Sequence, residues 1–156
     1  MAVRHDGPVH PDEQAIRGLI FAYCERLDAG DFDGVAALFV HGAFRSPAGT
    51  HLVGRDAVRR MYDPVVVYGD ATPRTKHVLG TVVVDIDAEG DGQRVTAGAR
   101  SHFTVFQQTE TLPLQPVLAG RYHDRFVRRD GAWWFAERMV RPDLEGDLSR
   151  HMANRR

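Results

Sequence analysis

The sequence has little of what marks several common classes of protein. Its 156 residues contain one cysteine, Cys24, so no internal disulfide can form, and a reducing compartment is compatible. Neither sign of charge dominates, because 20 Lys and Arg face 21 Asp and Glu. The basic stripe of a nucleic-acid binder is missing, and so is the one-signed composition of a disordered chain. Apolar runs such as Val65-Val66-Val67 are far too short to cross a bilayer. There is no glycine-rich phosphate loop or dinucleotide fingerprint, so no nucleotide cofactor is expected. No Gly-x-Ser-x-Gly elbow occurs, and Cys24 sits inside a helical pattern, which argues against acyl-enzyme chemistry. The eight histidines form neither His-x-His nor His-x-x-x-His, so a metal site would need ligands from distant strands. The expectation is a cytoplasmic globular protein with no cofactor, no nucleic acid and no membrane partner.

What is present is a change of period along the chain. Residues 1–11 read as a flexible leader without the apolar core of a secretory signal, 12–142 as one domain, and 143–156 as a tail with a short helix that then frays. Ile16, Leu19, Ile20, Tyr23 and Leu27 recur at helical spacing, from a start near Pro11-Asp12-Glu13 to about Ala29. Gly30 is a stop, and Asp31 caps a second helix through Leu38. His41 to Arg45 and His51 to Gly54 predict short strands, and Arg55 to Tyr62 predicts a third helix. Arg74 to Asp87 is β-branched and long. Glu89-Gly90-Asp91-Gly92 marks a turn, after which Val95 to Gln108 alternates. Leu112 to Pro116 is too rich in proline for an interior strand. Val117 to Arg129 and Ala132 to Arg141 flank the hairpin signal Asp130-Gly131. Helices first and strands last predict an α+β fold with helices on one face of a sheet, and a sheet curved enough to enclose a small apolar ligand.

Acid–base side chains are the best candidates for chemistry. Asp28 lies at the edge of the apolar face of the first helix, where it either borders a cavity or caps the helix end. Tyr23, five residues earlier, is rotated about 140° around that helix and is either core or cavity rim. His77 sits near the start of the long strand, and alternation alone does not say which way it points. Gly80 could host a bulge that changes the facing midway.

Three segments resemble a known family. Tyr23 to Asp33 resembles the first-helix signature of SnoaL-like proteins, within the nuclear-transport-factor-2-like superfamily. Arg74 to Gly80 resembles the strand that carries the histidine of its dehydratases. Gly120 to Phe126 with Asp130 to Phe135 resembles the closing hairpin. The likeness covers about residues 12–142 and implies a cone-shaped α+β barrel. In this barrel N-terminal helices would pack on a strongly curved, mixed, mostly antiparallel sheet. The resemblance to scytalone dehydratase and bile-acid 7α-dehydratase implies that Asp28 and His77 form a catalytic dyad with Tyr23 as a third catalytic residue. The related dehydrochlorinases place a lysine where this chain has Tyr23, so halide elimination is less favoured. Phe44 and Val105 stand where scytalone dehydratase has a tyrosine and a second histidine, so scytalone itself is not the expected substrate. His102 falls on the strand face away from the cavity by alternation.

The implied function is a cofactor-free, dehydratase-type lyase acting on a hydroxylated polycyclic, steroid-like or polyketide-like molecule. Phe44, Tyr62, Phe103, Tyr122 and Asp124 are the expected substrate-binding residues, and Phe39 is a further candidate for the wall. Two alternatives stay open. One is a double-bond isomerase using the same residues. The other is a non-catalytic ligand-binding or assembly module, whose working surface would be the outer sheet face with Trp133 or Trp134. A homodimer or homotrimer is expected under either reading.

Overall fold

A computed structural model describes residues 10–88 and 95–153, so the leader up to residue 9, the turn at 89–94 and the last three residues lie outside the described part. Helix α1 spans Pro11–Asp28. Pro11 occupies its first turn, where a missing N–H costs nothing, and the His10 side chain accepts from the backbone N–H of Asp12. Ile16, Ile20, Tyr23, Cys24 and Leu27 form its buried face. Gly30, at φ 75°, ends the helix, and Asp31 caps α2 (Phe32–Ala37) by accepting from Gly34 N–H at 2.8 Å.

Strands β1 (Ala43–Arg45) and β2 (His51–Val53) form a small hairpin before helix α3 (Arg55–Arg60). Four long strands follow: β3 (Thr75–Ala88), β4 (Val95–Gln107), β5 (Gln115–Arg129) and β6 (Ala132–Glu145). The six strands make one sheet in the order β2-β1-β6-β5-β4-β3, with β1 parallel to β6 and every other pairing antiparallel. Asp130 and Gly131, both at positive φ, turn β5 into β6 as the Asp-Gly signal requires.

The expected barrel is corrected. The end strands β2 and β3 do not pair, so the sheet is open, neither closed into a barrel nor strongly curved. Closure needs matched strands at the seam, and the three residues of β2 offer few ladder bonds to the fourteen of β3. Pro116 does enter an interior strand, at the start of β5 opposite Phe106, where the register slips and a missing N–H is tolerated. The described part of the tail, 143–153, is not helical either. β6 runs on to Glu145, and the chain then folds back over the loop after α3. There Val66 N–H donates to the His151 carbonyl and Ala153 N–H to the Pro64 carbonyl.

The core lies between the helices and one face of the sheet. Ala97, Ala99, Ser101, Phe103 and Val105 of β4 point into it by strict alternation. Trp133 is buried as well, its indole N–H donating to Asp12 at 2.9 Å, so it is not part of an outer working face. Trp134 is half-buried, edge-on to His41.

Candidate active site

The site begins where the C-terminal end of α1 meets the start of β3. Asp28 is the last residue of α1, and its carboxylate is held by three donors from β3. Oδ1 accepts from the Thr75 hydroxyl at 2.9 Å and lies 2.6 Å from His77 Nδ1, and Oδ2 accepts from the His77 backbone N–H at 2.8 Å. Both side chains of the pair are 9% exposed. Burial pushes the Asp28 carboxyl up, but the ring and backbone hydrogen bonds of His77 and the hydroxyl of Thr75 outweigh it and hold the group below its usual range. An ionised carboxylate can only accept, so His77 Nδ1 carries a proton, and in the neutral ring the lone pair is on Nε2.

His77 lines an apolar cavity of about 220 Å³, and Asp28 stands behind it. Tyr23, Leu27, Phe32, Met61 and Tyr62 form the helical wall. Phe44, Phe103, Val105, Leu118, Tyr122 and Val140 form the sheet wall, and His151 and Met152 close it from the C-terminal segment. The aim of His77 depends on a β-bulge. Thr75, His77 and Leu79 face inward, the register slips between Leu79 and Val82, and Val82, Val84 and Ile86 then take over the inward positions.

The Tyr23 and Tyr62 hydroxyls are 3.0 Å apart. Burial raises the pKa of both phenols and of Tyr122, so all three stay protonated near neutral pH. One hydroxyl donates to the other, which leaves a second O–H to donate to an oxygen in the cavity. Beneath Tyr23 and Tyr122 lies Arg138, whose guanidinium carbon is 4.1 Å and 4.0 Å from the two ring centres. It forms a bidentate pair with Asp124 at 2.8 and 2.7 Å, and both side chains are all but inaccessible. Burial drives the Asp124 carboxyl up and Arg138 draws it back, and the bidentate geometry keeps the pair ionised.

The structure therefore brings Tyr23, His77, Phe44, Tyr62, Phe103 and Tyr122 to one cavity, with Asp28 in contact with His77. Asp124 is corrected: it shares the inward face of β5 with Tyr122 but lies off the cavity, taken up by Arg138. Phe39 is core, stacked on Phe135. His102 is exposed on the other side of the sheet. Cys24 is buried beside Asp28, and its thiol is pushed up to about 12, which makes it a poor nucleophile. Among the described residues, no group of three His, Cys, Asp or Glu could hold a metal ion, and no helix is long and apolar enough to cross a membrane.

Three important residues escaped the sequence reading. Thr75 carried a signal, since it precedes His77 by two and so shares its strand face. Arg138 carried none, because a register shift in the β5–β6 ladder breaks the alternation that would have placed it. His151 lies in a segment whose pattern gave no reason to bring it back to the site.

Comparisons with known proteins agree with this architecture. A family model described as the SnoaL-like domain matches residues 9–139. A sequence comparison with curated proteins gives no significant match. Among solved structures, a protein of unknown function from Mycobacterium tuberculosis is 28% identical, with a TM-score of 0.67 over 88% of this chain and 78% of that one. A candidate scytalone dehydratase from Novosphingobium aromaticivorans is 25% identical, with a TM-score of 0.66 over 87% of each chain. The β subunit of a candidate aromatic-ring-hydroxylating dioxygenase from the same organism is 21% identical, with a TM-score of 0.67 over 90% and 95%, and it shows a shared fold. With its α+β architecture and a His/Asp pair positioned for acid–base catalysis, the chain belongs to the SnoaL-like domain family.

Proposed function

We propose that the protein is a lyase that eliminates water from a small hydroxylated carbonyl compound without a cofactor. His77 Nε2 takes a proton from the carbon next to the carbonyl. The electron pair moves into the carbonyl, where negative charge on oxygen is met by the free O–H of the Tyr23–Tyr62 pair. The enolate collapses, the C–OH bond breaks, and the proton held by His77 leaves with the hydroxide as water. The imidazole ends neutral, and the product holds a new carbon–carbon double bond conjugated to the carbonyl. Asp28 acts through His77: it fixes the tautomer and stabilises the imidazolium that forms.

The observation that carries this reading is the 2.6 Å contact between Asp28 Oδ1 and His77 Nδ1, with the imidazole lining an apolar, aromatic cavity. The size of that cavity narrows the substrate. A protein cavity of about 150 Å³ holds one benzene ring, and typical drug-sized sites start at about 300 Å³. At about 220 Å³ this one favours one or two rings over a four-ring steroid nucleus.

The test is turnover of one- and two-ring β-hydroxy ketones, followed by the absorbance of the enone. α-Deuterium exchange of 1-tetralone in D₂O, followed by NMR, isolates the proton-abstraction half. His77→Ala and Asp28→Asn should each lower both rates by about 10²- to 10⁴-fold. Equal rates in the parent and both variants would remove the dyad from the mechanism.

A further inference from the structure

The cavity holds a second imidazole, which the reaction above does not use. His151 arrives from the segment after β6 and lines the same cavity as His77. It is not on a loose end. Its backbone N–H donates to Leu148, its carbonyl accepts from Val66, and the preceding Arg150 carbonyl accepts from Gln107 Nε2 and the Tyr68 hydroxyl. Met152 pairs with Val65 on the other side. The backbone at His151 is thus held where its side chain lines the cavity. The ring Nδ1 is shut in without a hydrogen-bond partner, which leaves Nε2 as the nitrogen that can meet a ligand.

We propose that His151 is a substrate-contacting residue whose neutral imidazole donates a hydrogen bond from Nε2 to an oxygen substituent of an aromatic ligand. The neutral state has a physical cause. Burial, and then the neighbouring His77, bring the pKa of His151 down to about 4 against the smaller opposing pull of Asp28. A neutral ring carries one N–H, and its best place is the nitrogen that is not sealed off. A weakly basic imidazole donates without taking the substrate's proton, so the two histidines divide the labour: His77 moves protons and His151 selects for an oxygen. The ligand class that follows is a one- or two-ring compound with a hydroxyl or carbonyl set to reach the C-terminal segment. The inference deepens the lyase reading and rests on the same cavity.

Binding tests it without relying on turnover. 2-Naphthol and naphthalene are titrated against the whole protein, and the quenching of ligand fluorescence is followed. The parent should bind 2-naphthol about tenfold more tightly than naphthalene, the effect of one hydrogen bond. His151→Phe should bring the two affinities together while keeping that for naphthalene, and His151→Gln, which retains a donor, should restore part of the preference. In the parent, the His151 ring nitrogen signals should shift on adding 2-naphthol and not on adding naphthalene. An unchanged preference in His151→Phe would overturn the proposal, as would equal loss of both ligands in both variants. The lyase reading stands or falls separately, on the exchange rates of the His77 and Asp28 variants, so a lost preference in His151→Phe supports this proposal even where those rates equal the parent's.

Discussion

Asp28 and His151 have pKa values lowered for different reasons, and the signs of their pH effects follow. Asp28 is held below its ordinary range by its donors, so its contribution to stability is complete above the usual carboxylate pKa and is lost as pH falls through the lowered value. In thermal melts, the stability gap between the parent and Asp28→Asn should close as pH falls below the ordinary carboxylate range. His151 falls from 6.5 to about 4, so the unfolded chain takes up a proton in that window while the folded chain does not. Stability therefore falls as pH drops from 6.5 to 4, by at most about 3 kcal/mol. Melts of His151→Phe across the same range should show a shallower decline. The ion pair of Asp124 and Arg138 gives a third residue-scale expectation. Arg138→Met strands a buried carboxylate and should cost about 3–5 kcal/mol in denaturant unfolding, more than the double change D124L/R138M.

At the scale of elements, two junctions aim the site. The end of α1 is set by Gly30, whose φ of 75° suits glycine and whose missing Cβ leaves room for the Ala71 carbonyl. Gly30→Ala should displace the 71–72 loop against the helix end and lower the melting temperature by several degrees, with proton exchange falling as Asp28 shifts. The bulge between Leu79 and Val82 is the second junction. Deleting Thr81 removes the extra residue, so either His77 or the set Val82, Val84 and Ile86 must turn outward. The shortened protein should lose 1-tetralone exchange, whereas Gly80→Ala, which meets only ordinary contacts at His102, should keep it.

At the scale of the whole molecule, the cavity is a three-part assembly. Helices supply one wall, an open sheet the other, and the segment carrying Leu148, His151 and Met152 supplies the cover. None of these parts encloses a ligand alone. A protein truncated before Leu148 keeps every strand of the sheet and should still fold cooperatively. It should bind 2-naphthol at least tenfold more weakly and give more fluorescence with a hydrophobic dye, because the apolar cavity then opens to water.

The amino-acid sequence by itself determined the elements and the order in which they come. The spacing from Ile16 to Leu27, the Asp31 cap, the alternation of β4 and the Asp130-Gly131 turn are local patterns, each written in a few neighbouring residues, and the contact of Asp28 with His77 was legible through resemblance. Only the tertiary structure decided that the sheet stays open, since closure depends on the relative lengths of strands far apart in the chain. Only it showed that Asp124 is neutralised by Arg138, and that His151 folds back 74 positions along the chain to stand beside His77. Contacts of that range depend on how elements pack in three dimensions, and no periodicity in a single segment encodes them.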